Sequence, residues 1–329
     1  VFTVALSLRK VAQELGFSWS SFKQWLEGLG NYSALPEEAL IALAVIRRVG
    51  IAFYTFPINA EAPWLYLLTN VYEVGKVVKH VELLKSIGIN TSKVTIILDS
   101  GVERYRKKPC RDVAFDYDDR YWNMFWKAID MLKSLRNEYW FFFEVTVPDY
   151  PDDYSKAWRK QHCLWVDSYT NIDRTLENVF FVIEQDKKVQ WLLPAQGYED
   201  IPESILLSLG VYVSQGLHKR YRIGLADLCT SKSDSIIVNT LKLSREFCND
   251  CNFHVFGAKL TAVAKAVRMR YLKPGDSFDT FSWTFTESGV YVNRRGRQRY
   301  SAETKEERTL LFKSYLKKVS KALINAVNR

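Results

Sequence analysis

"VVKHVELLKSIGINTSKVTIILDSG", residues 77–101, changes rhythm once within a single stretch. Val77 to Ile87 carries apolar residues at helical spacing, whereas Val94 to Leu98 is a short β-rich run closed by Asp99-Ser100-Gly101. Helix, then strand, then a small polar turn is one unit of a parallel α/β fold. The same alternation extends in both directions. Strand-like runs fall at Ile51–Phe56, Tyr139–Val145, Val189–Pro194, Tyr221–Ile223, Phe253–Phe256 and Ser277–Phe281, with one more at Val179–Ile183. Helical patterns fall between them at Tyr121–Leu135, Tyr154–Thr170 and Ser235–Phe247. Seven or eight such units over roughly 240 residues suit a closed (β/α)8 barrel of the TIM type better than an open sheet.

Residues 1–48 read differently. "SLRKVAQELGFSWSSFKQWL" places Leu8, Val11, Ala12 and Leu15 on one helix, a turn at Gly16, and Phe17, Phe22 and Trp25 on a second. That spacing predicts a helix-turn-helix-like segment whose residues Ser18 to Gln24 face a DNA groove, with Lys23 and Arg9 reaching phosphates. A plain helical hairpin packed on the main domain fits the same residues. "NYSALPEEALIALAVIRR" adds a third helix. Residues 49–329 form the barrel together with a basic appendage. In that appendage "YVNRRGRQRY" holds Arg294, Arg295, Arg297 and Arg299, ahead of a lysine-rich helix from Glu306 to Val327. Arginines between Tyr291 and Tyr300 suit phosphate binding and base stacking, or a solvated hairpin tip.

Composition sets the outer bounds. The chain has 329 residues, 47% hydrophobic and 14% aromatic, which excludes a disordered chain and suits a packed core. A formal net charge of +9 fits a nucleic-acid partner without requiring one. No apolar run reaches the length that spans a bilayer, and the opening residues lack a signal-peptide pattern, so a cytoplasmic protein with no membrane partner is expected. Five cysteines are too few for a disulfide scaffold. "CNDCNFH" nevertheless sets Cys248, Cys251 and His254 close together, and with Cys229 these make a candidate structural zinc site, the rivals being a redox cysteine pair and ordinary buried thiols.

Chemistry in such a barrel sits at the C-terminal ends of the strands. Reading those ends gives Asp99, Glu144, Asp149, Gln196-Gly197, Gly224-Leu225-Ala226, Gly257 and Asp279. The last lies in "DSFDTFSWTF", residues 276–285, where Asp276 and Asp279 stand among Phe278, Phe281, Trp283 and Phe285. A carboxylate in apolar surroundings is paired, chemically employed or neutral, and a strand-end aspartate capping a turn is the plainer alternative. There is no histidine triad, phosphate loop or dinucleotide glycine pattern. Two carboxylates across a barrel mouth suit retaining chemistry at an anomeric carbon, one attacking and one handling protons.

These residues resemble the tRNA-guanine transglycosylases. That family carries aspartate-serine-glycine after an early strand, a V-Q-G turn, G-G-L-A, M-G and D-x-F-D. The corresponding residues here, in order, are Asp99-Ser100-Gly101, Ala195-Gln196-Gly197, Ile223-Gly224-Leu225-Ala226, Phe256-Gly257 and Asp276-Ser277-Phe278-Asp279, over about residues 50 to 285. The resemblance implies that Asp279 attacks C1′ of a nucleotide and that Asp99 is the general acid/base. It further implies that Ser100, Gln196, Gly197, Gly224, Leu225 and Ala226 line a base pocket. Asp149 would receive hydrogen bonds from the base, with Glu144 as its rival for that role. No ATP or redox cofactor is implied.

The chain also departs from that family. No cysteine follows Cys251, so the family's zinc cluster after D-x-F-D is missing, and Val102-Glu103-Arg104 stands where glycine, an aromatic and glutamine are usual. A stacking aromatic would then be displaced to Tyr105 or absent. With a helix-turn-helix-like segment in front, the chain is most similar to the DpdA-type relatives, which insert 7-deazaguanine bases such as 7-cyano-7-deazaguanine into DNA. The expectation is base exchange in nucleic acid, DNA before tRNA, by a monomer or homodimer. The alternative from another class is a non-catalytic DNA-binding regulator whose barrel senses a nucleobase.

Overall fold

The structure is a computed structural model that describes residues 2–56, 61–102, 116–150, 168–197, 201–226, 228, 233–280, 285–293, 296–301 and 304–328. Three helices lead: α1 (Phe2–Glu14), α2 (Trp19–Gly28) and α3 (Glu37–Val49). The barrel strands follow as β1 (Ala52–Tyr54), β2 (Tyr66–Asn70), β3 (Thr95–Asp99), β4 (Phe142–Thr146), β5 (Trp191–Ala195), β6 (Arg222–Leu225), β7 (Phe253–Val255) and β8 (Ser277–Asp279). From β2 onward they are separated in turn by α4 (Val74–Ser86), α5 (Asp119–Tyr139), α6 (Ser168–Gln185), α7 (Leu206–Ser214), α8 (Asp234–Phe247) and α9 (Leu260–Arg268). A hairpin of β9 (Phe285–Asn293) and β10 (Gly296–Ser301) precedes the last helix, α10 (Lys305–Val327).

All eight barrel strands are parallel, in the order β1-β8-β7-β6-β5-β4-β3-β2. The ring closes through a parallel bridge between Thr55 and Leu67, where the Leu68 N–H donates to the Thr55 carbonyl at 2.7 Å. The expected TIM-type α/β barrel is therefore the fold. No described helix joins β1 to β2. Their outer faces are covered by α10 instead, with Phe312 edge-on to Trp64 at 5.9 Å and Tyr315 against Phe53 at 5.7 Å.

Strand periodicity decides what faces inward. Phe53, Leu67, Ile96, Leu98, Phe143, Val145, Leu193, Ile223, Leu225, Phe253, Val255 and Phe278 belong to the core between sheet and helices. Residues of the opposite parity face the barrel interior, where Tyr54, Leu68, Ile97 and Leu192 make a small apolar cluster. Parity also puts Glu144, Arg222, His254, Ser277 and Asp279 on the inner face, and all of these except the half-buried Arg222 are buried. The interior is thus charged and hydrogen-bonded where most such barrels are filled with branched aliphatics.

The leading helices share that outer core, from Leu8 through Ile46. Gly16 takes a left-handed φ of 73° between α1 and α2, and Ser18 caps α2 by accepting from the Ser21 N–H at 3.2 Å. The aromatic side of α2 is spent on packing: Phe22 is buried, and Arg47 of α3 lies over both Phe17 and Trp25. Gly50 ends α3 at φ 78°, and Pro274 occupies the space a side chain there would need.

Two readings change, and a third lies largely outside the described residues. Val179–Ile183 is helical, inside α6; its β-branched and aromatic residues mimic a strand, but Ile172, Thr175, Val179 and Val182 are buried at helical spacing. Strand β2 was not anticipated, because "WLYLLTNVY" runs apolar without alternation. The helix expected at Tyr154–Thr170 falls largely outside the described residues, and the described helix begins at Ser168. No described helix is long and apolar enough to cross a membrane.

Candidate active site

Two sectors of the barrel mouth hold the candidate residues. The first spans β3, β4 and β5. Asp99, the last residue of β3, is half-buried, and its Oδ2 accepts from the Gly101 N–H at 3.0 Å. Gly101 has φ 73°, and the Tyr72 ring lies where a side chain would project. Ser100 is wholly buried; its carbonyl accepts from the Tyr121 hydroxyl at 2.8 Å, and its Oγ lies 3.4 Å from Asp149 Oδ1.

Asp149 follows β4, and its Oδ2 accepts from Gln196 Nε2 at 2.7 Å. Gln196, just past β5, has its Oε1 accepting from the Thr175 hydroxyl at 3.0 Å, while Thr175 accepts from the Tyr150 N–H at 2.9 Å. This chain fixes the amide orientation, since only the NH2 end can donate to a carboxylate. Gln196 is pinned again by Ser208 of α7, which bonds its main-chain N–H at 3.2 Å and carbonyl at 2.9 Å. The Tyr117 and Tyr121 rings pack at 4.2 Å, tilted by 32°, beside this group. Burial first, and then the nearby charges of Asp149 and Asp99, push both phenols well above their usual range, so they stay protonated donors.

The second sector is built on β7 and β8, three strands round the ring from β3 by way of β2 and β1. Asp279 is buried at the mouth end of β8. Its Oδ1 accepts from the Gly257 N–H at 3.0 Å and lies 3.1 Å from His254 Nε2. Among the described residues Oδ2 makes no hydrogen bond. Gly257, at φ 58°, turns its N–H toward the carboxylate just past β7. Below Asp279 the interior is wired together. His254 Nδ1 lies 2.8 Å from Ser277 Oγ, Arg222 donates to that same Oγ at 2.6 Å, and Arg222 also pairs with Glu144. Burial lowers the His254 pKa, against the pull of Asp279, and burial raises that of Glu144 against the pull of Arg222.

The expected site residues divide accordingly. Asp99, Ser100, Asp149 and Gln196 come together in one sector, and Asp279 stands in the other. Glu144 is not a rival to Asp149: it faces Arg222 inside the barrel. Gly197 lies against Ser204 and Ile205, with no space for a side chain. Gly224 leaves room for the Phe256 ring, and the Leu225 side chain belongs to the outer core, so any ligand contact there comes from backbone. Ala226 is buried beside them, its N–H donating to the Ala195 carbonyl at 3.0 Å.

Lys23 is exposed and pairs with Glu27 at 3.6 Å, while Arg9 lies over Trp19. Arg297 and Arg299 sit on β10 opposite Val292 and Val290; Arg294, Arg295, Tyr105 and Cys229 lie outside the described residues. Among the described residues the candidate zinc set does not assemble. Cys248 and Cys251 are joined in a disulfide before β7, whereas His254, on the inward parity of β7, reaches Asp279. Ser277, Arg222, Thr175, Tyr117 and Tyr121 were not anticipated. Inward parity on β6, β7 and β8 is the signal that links Arg222, His254 and Ser277.

No protein-family model and no curated protein matches the chain. Among solved structures it is similar to the carboxyl transferase domain of Rhizobium etli pyruvate carboxylase with pyruvate and biocytin, at 11% identity and a TM-score of 0.40, over 93% of this chain and 51% of that one. The same domain with 3-hydroxypyruvate matches at 10% identity and a TM-score of 0.40, over 92% and 51%. This chain spans about half the length of those chains. A likeness at that level assigns no activity.

Proposed function

We propose that the protein is a base-exchange transglycosylase that replaces guanine in nucleic acid, DNA before tRNA, by a 7-deazaguanine such as 7-cyano-7-deazaguanine. The observation that carries this reading is the state of Asp279: Oδ1 is held by two contacts while Oδ2, at the mouth, makes no hydrogen bond among the described residues. A nucleophilic carboxylate needs this division, one oxygen anchored and the other left to attack.

Asp279 Oδ2 attacks C1′ of an extruded nucleotide as the bond from C1′ to the base nitrogen breaks, giving an aspartyl glycosyl ester. Asp99 gives a proton to the departing guanine. It then takes one from the incoming deazaguanine, whose nitrogen displaces Asp279 and restores the starting configuration at C1′. Extruding the nucleotide costs a few kcal/mol. One glycosidic bond replaces another, so the reaction needs neither ATP nor a redox partner. Asp149 supports recognition: Gln196 Nε2 and the Ser100 hydroxyl orient its carboxylate, an acceptor-only group suited to ring and exocyclic N–H groups of a flat base. An analogue without those N–H groups leaves the anion under-satisfied.

The test offers radiolabelled guanine to duplex DNA, single-stranded DNA and tRNA with the wild-type protein and with Asp279→Ala. Exchange into DNA by wild type alone is expected. Exchange into tRNA alone transfers the reading to that substrate, and equal exchange by the variant removes Asp279 from the role. DNA binding without base turnover favours the non-catalytic regulator.

A further inference from the structure

Asp279 does not stand alone, and the way it is held contains a logical constraint. Ser277 Oγ has two partners, Arg222 and His254 Nδ1. The guanidinium can only donate, so it fills one lone pair of Oγ. Among the described residues the Ser277 hydroxyl proton then has a single hydrogen-bond acceptor, Nδ1 of His254. If Nδ1 were protonated, two donors would face Ser277 and its own proton would be stranded in a fully buried site, a cost the wall of the barrel does not relieve. Nδ1 is therefore the acceptor, and the ring proton sits on Nε2, aimed at Asp279 Oδ1.

We infer that His254 is a positioning residue for Asp279, held as the neutral Nε2–H tautomer by a chain of donors running Arg222 to Ser277 to His254 to Asp279, with Glu144 anchoring Arg222. The arrangement has two consequences. A neutral donor steadies Oδ1 without neutralising the carboxylate, as an imidazolium would. Together with the Gly257 N–H it commits Oδ1 to the protein, so Oδ2 is the attacking atom. The Tyr54 ring packs edge-on to the imidazole at 5.7 Å and Phe256 does so at 4.6 Å, which keeps the ring from turning over. The charged groups facing this imidazole are Asp279, and Arg222 by way of Ser277; the rings packed against it are those of Tyr54 and Phe256.

The tautomer stands apart from the proposed activity, whereas its kinetic consequence rests on that reading. The experiment therefore has two arms. In the first, protein labelled with 15N in its four histidines is read by long-range proton–nitrogen correlation at neutral pH, with His254→Gln supplying the assignment. A protonated Nε2 and a bare Nδ1 are expected, with mixed tautomers in Ser277→Ala. A protonated Nδ1, or an imidazolium, in the wild-type protein overturns the inference whether or not any substrate turns over. In the second arm His254→Leu is expected to lose on the order of 100-fold in kcat with KM little changed, as loss of positioning does. His254→Gln, which keeps a donor, is expected to recover most of that loss. Equal activity of folded His254→Leu and wild type, or no recovery by Gln, contradicts the positioning role. If the wild-type protein exchanges no base, the activity reading fails and the nuclear magnetic resonance arm alone decides this inference.

Discussion

Asp276 and Asp279 are three residues apart on the same strand segment, both buried, and they are wired in opposite ways. Asp276, at the entry end of β8, has both oxygens occupied. Oδ1 accepts from the Phe253 N–H at 2.7 Å, and Oδ2 accepts from the Lys273 N–H at 2.8 Å and from Arg245 at 2.6 Å. Burial raises its pKa while Arg245 pulls it down. Arg245 is itself tied to the carbonyls of Tyr271, Asn249 and Cys251. This is a knot that ties β8, β7 and α8 together, with both carboxylate oxygens engaged by the protein. Asp279, at the exit end, is tied by one oxygen only. A saturated carboxylate holds structure, and a half-saturated one at a barrel mouth can react. The contrast answers why two acids stand in an aromatic run: each has its own donors, and only one keeps an oxygen free of them.

Four measurements can break or sharpen that contrast. The largest expected effect is on turnover. Asp279→Asn preserves shape and an acceptor for His254, and it should cut exchange by on the order of 10⁴-fold or more while midpoint denaturation shifts by less than about 1 kcal/mol. A large loss of stability instead would make Asp279 a second knot. Conversely, Asp276→Ala leaves Arg245 buried without its carboxylate and should cost about 3 kcal/mol in urea unfolding, with activity per folded molecule little changed. A variant that folds as well as wild type but is inactive would reverse the two assignments.

A third measurement asks whether acid sensitivity comes from either aspartate. It should come from an imidazole in the wall. Burial depresses His80 to about 4, while its Nε2 lies 3.1 Å from the Trp64 carbonyl. Its folded pKa lies below the unfolded value of about 6.5, so the unfolded chain binds the proton more readily. The associated stability is complete above that unfolded value and is lost as pH falls through the window down to about 4, in total on the order of 3 kcal/mol. His80→Gln should flatten that slope; an unchanged slope would assign it elsewhere, His254 acting in the same direction. The smallest effect concerns the other sector. Gln196→Leu removes the donor to Asp149 and should raise KM for the incoming base by about 10- to 100-fold with kcat less affected.

The same strand shows what was legible from residues alone. The barrel could be read because its strands are short β-rich runs separated by helices, and the acids at strand ends could be read because such barrels react there. Strand β2 could not, since its apolar run merges into the next helix without a polar beat. The strand expected at Val179–Ile183 failed for the opposite reason: β-branched residues on a helix imitate a strand when only composition is weighed. The candidate zinc site shows the limit of proximity in sequence. Cys251 and His254 are three residues apart, yet the cysteine precedes β7 while strand alternation carries the histidine into the barrel. Counting parity along β6, β7 and β8 from the buried Ile223, Phe253 and Phe278 would have put Arg222, His254, Ser277 and Asp279 on one face. Which oxygen of Asp279 is held, and that Asp276 is saturated, depend on side-chain geometry that no spacing encodes.

The most direct test of the account is chemical trapping of the proposed ester. Wild-type protein is incubated with guanine-containing DNA and no incoming base, denatured, digested and mapped by mass spectrometry. The account predicts a nucleic-acid adduct on the peptide containing Asp279, absent in Asp279→Asn and discharged when a deazaguanine base is added before denaturation. An adduct on another residue, or no adduct with either DNA or tRNA, would contradict it.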